Sequence, residues 1–258
     1  MKKNITHAIA VIILFLLSGI NSGFPQEERE IELTAQGILA RVDRVMDYPV
    51  GLIKGRMKHI KPDGESYTNE ITGKITKDDF LFILSNKQRG EQVKILYNLS
   101  GEDIWVYLMH SIKLYHKLGI DKYDPILMTN YYYIDLSNAD LQSNYTAEII
   151  GSAVVKEEDT YILKLKPIFK GGMYGLLTLY VTKKNFIPIR IDYHDRDNVI
   201  FKFMTVAKVM EKGSRIVPVR YDMMDLRTGT MTILSFFSFD ESVIFGSEIF
   251  RSEKLGEP

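Results

Sequence analysis

The stretch YGLLTLYVTKKNFIPIRIDYHDRDNVIFKFMTVAKV, residues 174–209, decides the fold class of this chain. Apolar, β-branched and aromatic residues form three short runs in it, at about 174–182, 186–193 and 199–210. The polar sequence HDRDN, residues 194–198, separates the last two runs in the way that a hairpin tip does. Short runs of this composition, bounded by turn residues, predict consecutive β-strands.

Runs of the same kind occur along most of the chain. Outside the stretch above they lie at about 51–60, 66–76, 79–86, 92–98, 103–109, 146–155, 159–167, 214–224 and 230–239. About twelve strands at regular spacing, without crossover helices between them, are not expected to pair in parallel. The sequence therefore predicts a mainly β fold, in which a meandering antiparallel sheet curls into a barrel or a half barrel.

One helix is predicted before the strands. Thr34 is a suitable N-cap, and Pro49 ends the helical pattern. The apolar positions between them, which recur at three- and four-residue steps, are Ala35, Ile38, Leu39, Val42 and Met46. Because Gly37 costs about 1 kcal/mol relative to alanine inside a helix, we expect this helix to depend on packing against a larger element.

The first 23 residues predict a secretory signal peptide. Lys2 and Lys3 precede an apolar run at 8–17, and small residues follow as far as Gly23. The run is shorter than the roughly 18 apolar residues that span a bilayer. The alternative is a membrane anchor that is never cleaved. After cleavage, residues 24–258 are enough for one large all-β domain or two small ones.

The charge and cysteine counts exclude several classes of partner and site. The chain has 33 basic and 33 acidic residues and no cysteine. Loss of Lys2 and Lys3 with the signal peptide would leave 31 basic residues, which gives no electrostatic basis for binding nucleic acid or an anionic membrane surface. Without cysteine there is no disulfide, no thiol site and no residue for the acyl anchor of a bacterial lipoprotein. We therefore expect a soluble mature protein.

Residues suited to catalysis or metal binding are scattered. His110 and His116 could share a strand face, but two polar side chains beside a wet cleft are the simpler interpretation. The acidic turn with Asp192, Asp195 and Asp197 lacks the glycine and the distal glutamate of a calcium loop. The sequence offers no plausible set of acid, base and nucleophile. It predicts no enzyme activity, no metal site and no cofactor.

Between the two halves of the strand pattern, residues 110–145 are irregular. The strand before them, DIWVYLM at 103–109, is apolar on both faces. One face carries Trp105, Tyr107 and Met109, and the other carries Ile104, Val106 and Leu108. Such a strand either is buried on both faces or has a core on one side and a binding cavity on the other.

A run of three tyrosines, Tyr131, Tyr132 and Tyr133, lies in this irregular part. In extended backbone Tyr131 and Tyr133 would share one face and Tyr132 would take the other. Ser137 with Asp140 three residues later forms a capping-box pattern that predicts the start of a short helix. The triplet is therefore expected at the mouth of a cavity, directly before a helical element laid on the sheet.

Several segments, in order, resemble one protein family. TAQGILARVDRVMDYP (34–49) resembles its first helix, EDIWVYLMHSIKLYHKL (102–118) its W-x-Y-x-P strand, and MTNYYYIDLSNADL (128–141) its Asp-Leu segment. Residues 174–209 and 217–234 resemble the later strands of this family, and residues 248–255 resemble its closing F-x-x-x-x-L motif. The family is that of the outer membrane lipoprotein-sorting proteins related to the periplasmic lipoprotein carrier LolA. Met109 stands where the family has proline.

This resemblance implies a half-open antiparallel β-barrel of the LolA/LolB type, with an N-terminal helix and short lid helices, formed by residues 24–258 as a single domain. It implies a monomeric periplasmic carrier whose apolar interior holds the acyl chains of a lipoprotein, or other lipid, for transfer to the outer membrane. Its partners would be an inner-membrane transporter and an outer-membrane acceptor. The lack of an anchoring cysteine favours a soluble shuttle over the membrane-anchored receptor of the same fold.

We predict two sets of ligand-binding residues. The cavity lining comprises Phe80, Phe82, Trp105, Tyr107 and Met109. The lid, within 128–142, comprises Tyr131, Tyr132, Tyr133, Asp135 and Leu136. The alternative function is an extracytoplasmic interaction module, accessory to an export or efflux complex, that keeps the fold but binds protein. A continuous apolar cavity would favour the carrier, and an interior filled by its own side chains would favour the module.

Overall fold

A single antiparallel sheet of thirteen strands accounts for most of the chain. The structure is a computed structural model that describes residues 33–137, 140–213 and 215–257. The predicted signal peptide, residues 1–23, lies outside the described residues. Residues from Leu33 onward form one compact unit. In the part of the chain that the structure describes, no helix is both long enough and apolar enough to cross a membrane.

The strands agree closely with the period-2 pattern of the sequence. In chain order they are β1 (Gly51–Ile60), β2 (Ser66–Ile75), β3 (Phe80–Asn86), β4 (Glu91–Asn98), β5 (Asp103–Leu108), β6 (Lys113–Lys117), β7 (Tyr145–Val155), β8 (Glu158–Pro167), β9 (Leu176–Thr182), β10 (Pro188–His194), β11 (Ile200–Lys212), β12 (Arg215–Asp225) and β13 (Met231–Asp240). Two α-helices are α1 (Ala35–Met46) and α2 (Leu141–Asn144). The mainly β prediction is confirmed, with one strand more than predicted.

The additional strand is β6. Its sequence, KLYHK, is exposed at four of its five positions, so it carries no buried face and gives no apolar signal. It exists because it pairs with β5, from Ile104 opposite Lys117 to Leu108 opposite Lys113. Two lysines on a short edge strand also discourage pairing with another chain.

The strand order leaves two edge strands, β6 and β7, that do not pair with each other. It runs β6-β5-β4-β3-β2-β1-β13-β12-β11-β10-β9-β8-β7, so the two meanders join where β1 pairs with β13. Strands β6 and β7 follow each other in the chain but lie at opposite edges of the sheet. The prediction of a curved antiparallel sheet that is not closed into a complete barrel is confirmed.

Helix α1 packs on the interior face of the sheet. The hydroxyl of Thr34 accepts a hydrogen bond from the backbone N–H of Gly37 at 3.0 Å, as an N-cap should. Ile38, Leu39 and Val42 are fully buried in the main hydrophobic core. The apolar stripe predicted from the sequence is thus the face that holds the helix on the sheet.

A second, smaller core lies on the outer face. Leu81 and Leu96, from strands β3 and β4, pack with Phe250 and Leu255. The last two belong to the chain after β13, residues 241–257, which we call the C-terminal segment. This segment covers the outer face of β3 to β5. Because those strands are buried on both faces, they carry apolar side chains on both.

Gly73 provides a test of the packing between the first strands. It lies opposite Ile53 on β1 and Phe82 on β3, and a Cβ atom there would be 2.6 Å from Ile53 Cγ1 and 2.8 Å from Phe82 Cε1. We expect Gly73→Ala to lower the free energy of unfolding by about 1–3 kcal/mol, because neither neighbour can yield without overpacking. Urea denaturation measures this change.

Gly151 on β7 is the matched control. The nearest atom to a Cβ there is Ile162 Cδ1, at 4.0 Å. Gly151→Ala should therefore leave the stability unchanged or raise it slightly, because alanine has less backbone entropy to lose. Equal effects of the two substitutions would show that close packing around Gly73 is not limiting.

Candidate ligand-binding site

The candidate site is built around the chain between β6 and β7, residues 118–144, which we call the crossing segment and of which the structure describes 118–137 and 140–144. Because β6 and β7 are the two edges of the sheet, this segment has to travel from one edge to the other. It does so through short 3₁₀ turns, including Tyr133–Leu136, and ends in α2. Its buried apolar side chains, Ile126 and Leu136 among them, lie in the main core with those of α1 and both halves of the sheet.

Polar contacts from the sheet satisfy the backbone and the amide groups of the crossing segment. The Asn130 side chain donates to the carbonyl of Met223 at 3.1 Å and to that of Thr230 at 2.8 Å. The hydroxyl of Thr232 accepts from the Asn130 N–H at 3.0 Å. On the opposite side, the Tyr97 hydroxyl donates to the Tyr133 carbonyl at 2.9 Å. The segment is thus bound to both meanders of the sheet.

A buried ion pair forms the centre of these contacts. Lys202 Nζ on β11 lies 2.7 Å from Asp135 Oδ2, and the two side chains are 1% and 3% exposed. The Tyr174 hydroxyl donates to the other carboxylate oxygen at 2.5 Å, and the Tyr132 N–H donates to Oδ2 at 2.8 Å. The Lys202 ammonium also lies 3.7 Å, 4.9 Å and 4.7 Å from the ring centres of Tyr132, Tyr174 and Tyr193.

The electrostatics of this pair follow from its burial. Loss of hydration lowers the pKa of Lys202, and the adjacent Asp135 carboxylate opposes that shift. Burial raises the pKa of Tyr174 well above its usual value, so the phenol stays protonated and donates its hydrogen bond. Cation–π contacts with three rings add to the stabilisation of the ammonium. Together these groups bind the crossing segment to the sheet, and we call the ion pair of Lys202 with Asp135 the latch.

A cavity of about 540 Å³ lies between α1, the crossing segment and the interior face of β9 to β13. Its volume is within the range of small-molecule sites, roughly 300–1,000 Å³. Its apolar and aromatic lining includes Met46, Tyr48, Tyr131, Ile134, Leu136, Leu141, Tyr145, Tyr174, Leu177, Ile191, Tyr193, Met204, Tyr221 and Leu234. The charged residues that line it are Asp43, Arg44, Asp47, Lys77, Asp78, Asp135 and Asp140.

Asp43 links α1 to the end of the crossing segment. Its carboxylate accepts hydrogen bonds from the backbone N–H groups of Leu141 at 3.1 Å and Gln142 at 3.0 Å. Burial, with a smaller contribution from nearby Asp140, raises the pKa of Asp43 to about 7. The pKa of Asp140 is instead lowered, as its carboxylate accepts hydrogen bonds from Ser143. Asp43 therefore changes charge close to neutral pH.

Phe80 and Phe82 face the interior as predicted, but they do not line the cavity. They lie in a part of the interior that is filled by aromatic side chains. Tyr48 packs edge-on against both rings, at 5.7 Å and 5.2 Å between centres, and Tyr97 stacks on Phe80 at 4.6 Å. Tyr48 itself lines the cavity, so the two phenylalanines lie one layer behind its wall.

The prediction that Trp105, Tyr107 and Met109 line the cavity needs correction. Trp105 and Tyr107 pack in the small outer core beneath the C-terminal segment, and Met109 lines a separate groove on that face. The side chains of β5 that point inward are those of Ile104 and Val106. Because the C-terminal segment covers the outer face, both faces of β5 are apolar and the sequence pattern could not distinguish them.

All five predicted lid residues lie on the crossing segment, and three of them, Tyr131, Asp135 and Leu136, line the cavity. Tyr132 instead lies against Lys202, and Tyr133 packs in the core. The predicted alternation ends here because Tyr133 begins a 3₁₀ turn.

The start of the short helix is also corrected. The residue that caps α2 is Asp140, whose carboxylate accepts from the Ser143 N–H at 3.1 Å. Ser137 instead follows the preceding 3₁₀ turn, and its hydroxyl donates to the Ile134 carbonyl at 2.7 Å. The helix therefore begins about one turn later than the capping-box pattern predicts.

Sequence analysis missed Lys202, Tyr174 and Tyr193. The sequence does indicate that Lys202 is unusual, because it shares one face of an apolar strand with Met204 and Val206. A lysine at an inward position of this kind needs a buried acidic partner. Nothing local in the sequence identifies that partner as Asp135, which is 67 residues away. Among the described residues, no group of three or more metal-ligating side chains could hold a metal ion.

The chain is similar to a known protein family in sequence and to several solved structures in fold. A family model described as "-like: Uncharacterized protein" matches residues 76–257. No curated protein sequence matches the chain.

Three solved structures are similar along most of their length. A DUF1329 family protein from Desulfovibrio piger has a TM-score of 0.73 at 18% identity, covering 86% of this chain and 97% of that one. A structure described as an outer membrane lipoprotein-sorting protein domain from Vibrio parahaemolyticus has a TM-score of 0.75 at 15% identity, covering 86% and 98%. A LolA superfamily protein from Nitrosomonas europaea has a TM-score of 0.69 at 20% identity, covering 86% and 99%. The predicted LolA-like fold is confirmed.

The ion pair between Lys202 and Asp135 can be tested by removing one partner and then both. Lys202→Met should lower the free energy of unfolding by about 3–5 kcal/mol, because it leaves a buried carboxylate without its cation. Lys202→Met combined with Asp135→Leu should lose less than Lys202→Met alone, since no buried charge is left unpaired. Urea denaturation measures both.

The exposed pair of Lys61 and Glu65 gives the matched control. Its side chains are 43% and 64% exposed, so Lys61→Met should cost less than about 1 kcal/mol. If Lys202→Met cost no more than Lys61→Met, the latch would contribute nothing to the folded state.

Asp43 should make stability depend on pH in a defined window. Its pKa rises from 3.8 to about 7 on folding, so between these values the folded chain holds a proton that the unfolded chain has released. The free energy of unfolding that Asp43 contributes therefore falls as pH rises through this window, and it is constant above it. Asp43→Asn removes this dependence.

The measurement is the stability of wild type minus that of Asp43→Asn, by urea denaturation at several pH values from about 4 to 8. The difference cancels the opposite effect of His59, whose pKa burial lowers. A difference that does not fall between these limits would mean that Asp43 is ionised throughout.

Proposed function

The chain belongs to the family described as "-like: Uncharacterized protein", and we propose that it is a carrier that binds the acyl chain of a lipoprotein or another lipid. The observation that carries this proposal is the cavity of about 540 Å³ beneath the crossing segment. Its wall is formed largely by aliphatic and aromatic side chains. An acyl chain that enters it is stabilised by about 0.8 kcal/mol for each CH₂ group removed from water.

The fold supports the same proposal. Two of the similar solved structures are described as a lipoprotein-sorting domain and a LolA superfamily protein. By analogy with those descriptions, the chain would act in the periplasm after removal of residues 1–23, as a monomeric shuttle formed by a single domain. It would receive its cargo from an inner-membrane transporter and deliver it to an outer-membrane acceptor. The function is binding and transfer, without catalysis.

The crossing segment would act as the lid. A carrier has to release its cargo, so its net affinity cannot be the full energy of burying an acyl chain. Contacts that the lid makes with the sheet in the empty state are given up on loading, and this reduces the net affinity by the same free energy. The ion pair of Lys202 with Asp135 is one of these contacts, and it is the most buried salt bridge among the described residues.

One observation favours the second candidate, an extracytoplasmic interaction module accessory to an export or efflux complex. The interior beneath β3 and β4 is filled by Phe80, Phe82 and Tyr97, so less than the whole barrel is free for a ligand. The carrier remains the better supported proposal, because the cavity beneath β9 to β13 is not filled by these side chains.

Filling the cavity tests the carrier proposal. Leu177 lines the cavity, and Leu177→Trp should weaken binding of the neutral probe N-phenyl-1-naphthylamine by about tenfold or more. A tenfold loss corresponds to 1.4 kcal/mol, less than the burial of two CH₂ groups. Fluorescence titration measures the affinity, and thermal unfolding checks that the variant is folded.

The control adds the same side chain elsewhere. Phe237 is 56% exposed, and Phe237→Trp should leave probe affinity unchanged. Native mass spectrometry of the protein isolated from the periplasm should also show bound lipid or acylated peptide. A protein that is empty there, binds no probe and captures a membrane complex would be the interaction module instead.

A further inference from the structure

The Asp135 carboxylate lies in a binding site for an anion. One oxygen accepts hydrogen bonds from Lys202 Nζ at 2.7 Å and from the Tyr132 N–H at 2.8 Å. The other accepts from the Tyr174 hydroxyl at 2.5 Å. A cation and two further donors around two oxygen atoms is the arrangement by which proteins bind carboxylate and phosphate groups.

The parts of this site belong to two different elements. Lys202 is on β11 and Tyr174 lies in the loop just before β9, so neither is part of the crossing segment. Asp135 and Tyr132 belong to the crossing segment, which is the lid of the proposed carrier. When the lid moves away, the anion leaves, and the ammonium and the phenol stay behind.

Lys202 would then be a buried cation without a counter-ion. Among the described residues, the two oxygen atoms within hydrogen-bonding distance of its ammonium are Asp135 Oδ2 at 2.7 Å and the Asn130 carbonyl at 3.4 Å. Both belong to the crossing segment. Asp225 also interacts with Lys202 electrostatically, but its carboxylate already pairs with Arg227 at 3.7 Å.

The tyrosine rings do not replace these oxygens. Tyr174 and Tyr193 lie 4.9 Å and 4.7 Å from the ammonium and offer cation–π contacts, but a ring cannot neutralise the charge. Removing one partner of a buried ion pair is strongly destabilising, because the other charge is left uncompensated. A cargo that brings its own negative charge avoids that penalty, and a neutral cargo does not.

The cavity gives such a cargo access to the site. Asp135, Tyr174 and Tyr193 form part of its wall, together with apolar residues such as Leu177 and Met204. Lys202 itself lies behind this wall, against Asp135 and Tyr193. An amphiphile whose chain lies along the apolar wall would therefore reach the ammonium with its charged end once Asp135 is displaced.

We propose that Lys202 and Tyr174 bind an anionic carboxylate or phosphate group that is covalently attached to the acyl cargo, and that Asp135 occupies this site when the carrier is empty. This inference rests on the proposed carrier function. It adds that the carrier selects anionic amphiphiles over neutral ones of equal chain length, and that cargo and lid compete for the same ammonium.

The experiment compares three competitors of N-phenyl-1-naphthylamine on the full mature chain at neutral pH. They are dodecyl phosphate below its critical micelle concentration, dodecanol, and inorganic phosphate. Wild type should bind dodecyl phosphate about tenfold more tightly than dodecanol, the effect of one charge-assisted hydrogen bond. Inorganic phosphate should not displace the probe.

Three variants locate the preference. Lys202→Met combined with Asp135→Leu should bind both dodecyl compounds equally, and its affinity for dodecanol should be higher than that of wild type, because the ion pair no longer opposes loading. Asp135→Asn should bind dodecyl phosphate more tightly than wild type does, because the internal competitor has lost its charge. Tyr174→Phe removes only a hydroxyl donor and should reduce the preference about threefold, which tests the site even if the double variant does not fold.

The outcomes separate the two proposals. If neither dodecyl compound binds, the carrier function is wrong. If both bind wild type equally, or if the preference survives in the double variant, the carrier function stands and the anion site is overturned. Displacement by inorganic phosphate would also overturn it, since the site would then take a free anion without a chain.

Discussion

The strand order imposes the constraint on which the rest of the structure depends. Because β6 and β7 are consecutive in the chain but lie at opposite edges of the sheet, residues 118–144 must cross the interior. A non-regular segment that is buried in this way needs partners for its backbone polar groups. Tyr97, Thr232 and the ion pair of Lys202 with Asp135 belong to the contacts that fix it there. The interior is thus filled by aromatic side chains beneath β3 and β4, and a cavity remains between the crossing segment and β9 to β13.

The choice of an ion pair for the central contact has a physical consequence. Apolar residues of the same volume would often hold a buried segment equally well or better, because two buried charges lose much hydration. What a charged pair offers is that one partner can be exchanged for another group of the same charge. Lys202 is fixed on β11, whereas Asp135 lies on a segment with few regular hydrogen bonds. This difference makes the carboxylate the exchangeable partner, which suits a lid that competes with cargo.

The strand pattern was predictable because half-buried strands alternate, and ten consecutive residues such as β1 leave little ambiguity. Strand β6 was not predictable, because its exposed residues carry no alternation and its only cause is pairing with β5. Which face of β5 points inward could not be predicted for a similar reason. Trp105 is covered by the C-terminal segment, which lies more than 130 residues later in the chain. For the site, local pattern located the tyrosine run, and the resemblance of residues 128–141 to the family's Asp-Leu segment pointed to Asp135. Tertiary structure was needed to bring Lys202, Tyr174 and Tyr193 to them.

The crossing segment also stores backbone strain that bears on its movement. Leu127 and Met128 have φ values of 45° and 61°, a left-handed conformation that is unfavourable for side chains of this kind by about 1–2 kcal/mol each. The Tyr67 hydroxyl donates to both of their carbonyl groups at 3.0 Å, and Met128 is 67% exposed. The strained turn is therefore held from the sheet by the half-buried Tyr67, and Arg89 also donates to the Met128 sulfur at 3.7 Å. In the proposed carrier, a lid that moves together with this turn would release the strain, and the release would offset part of the cost of separating Lys202 from Asp135.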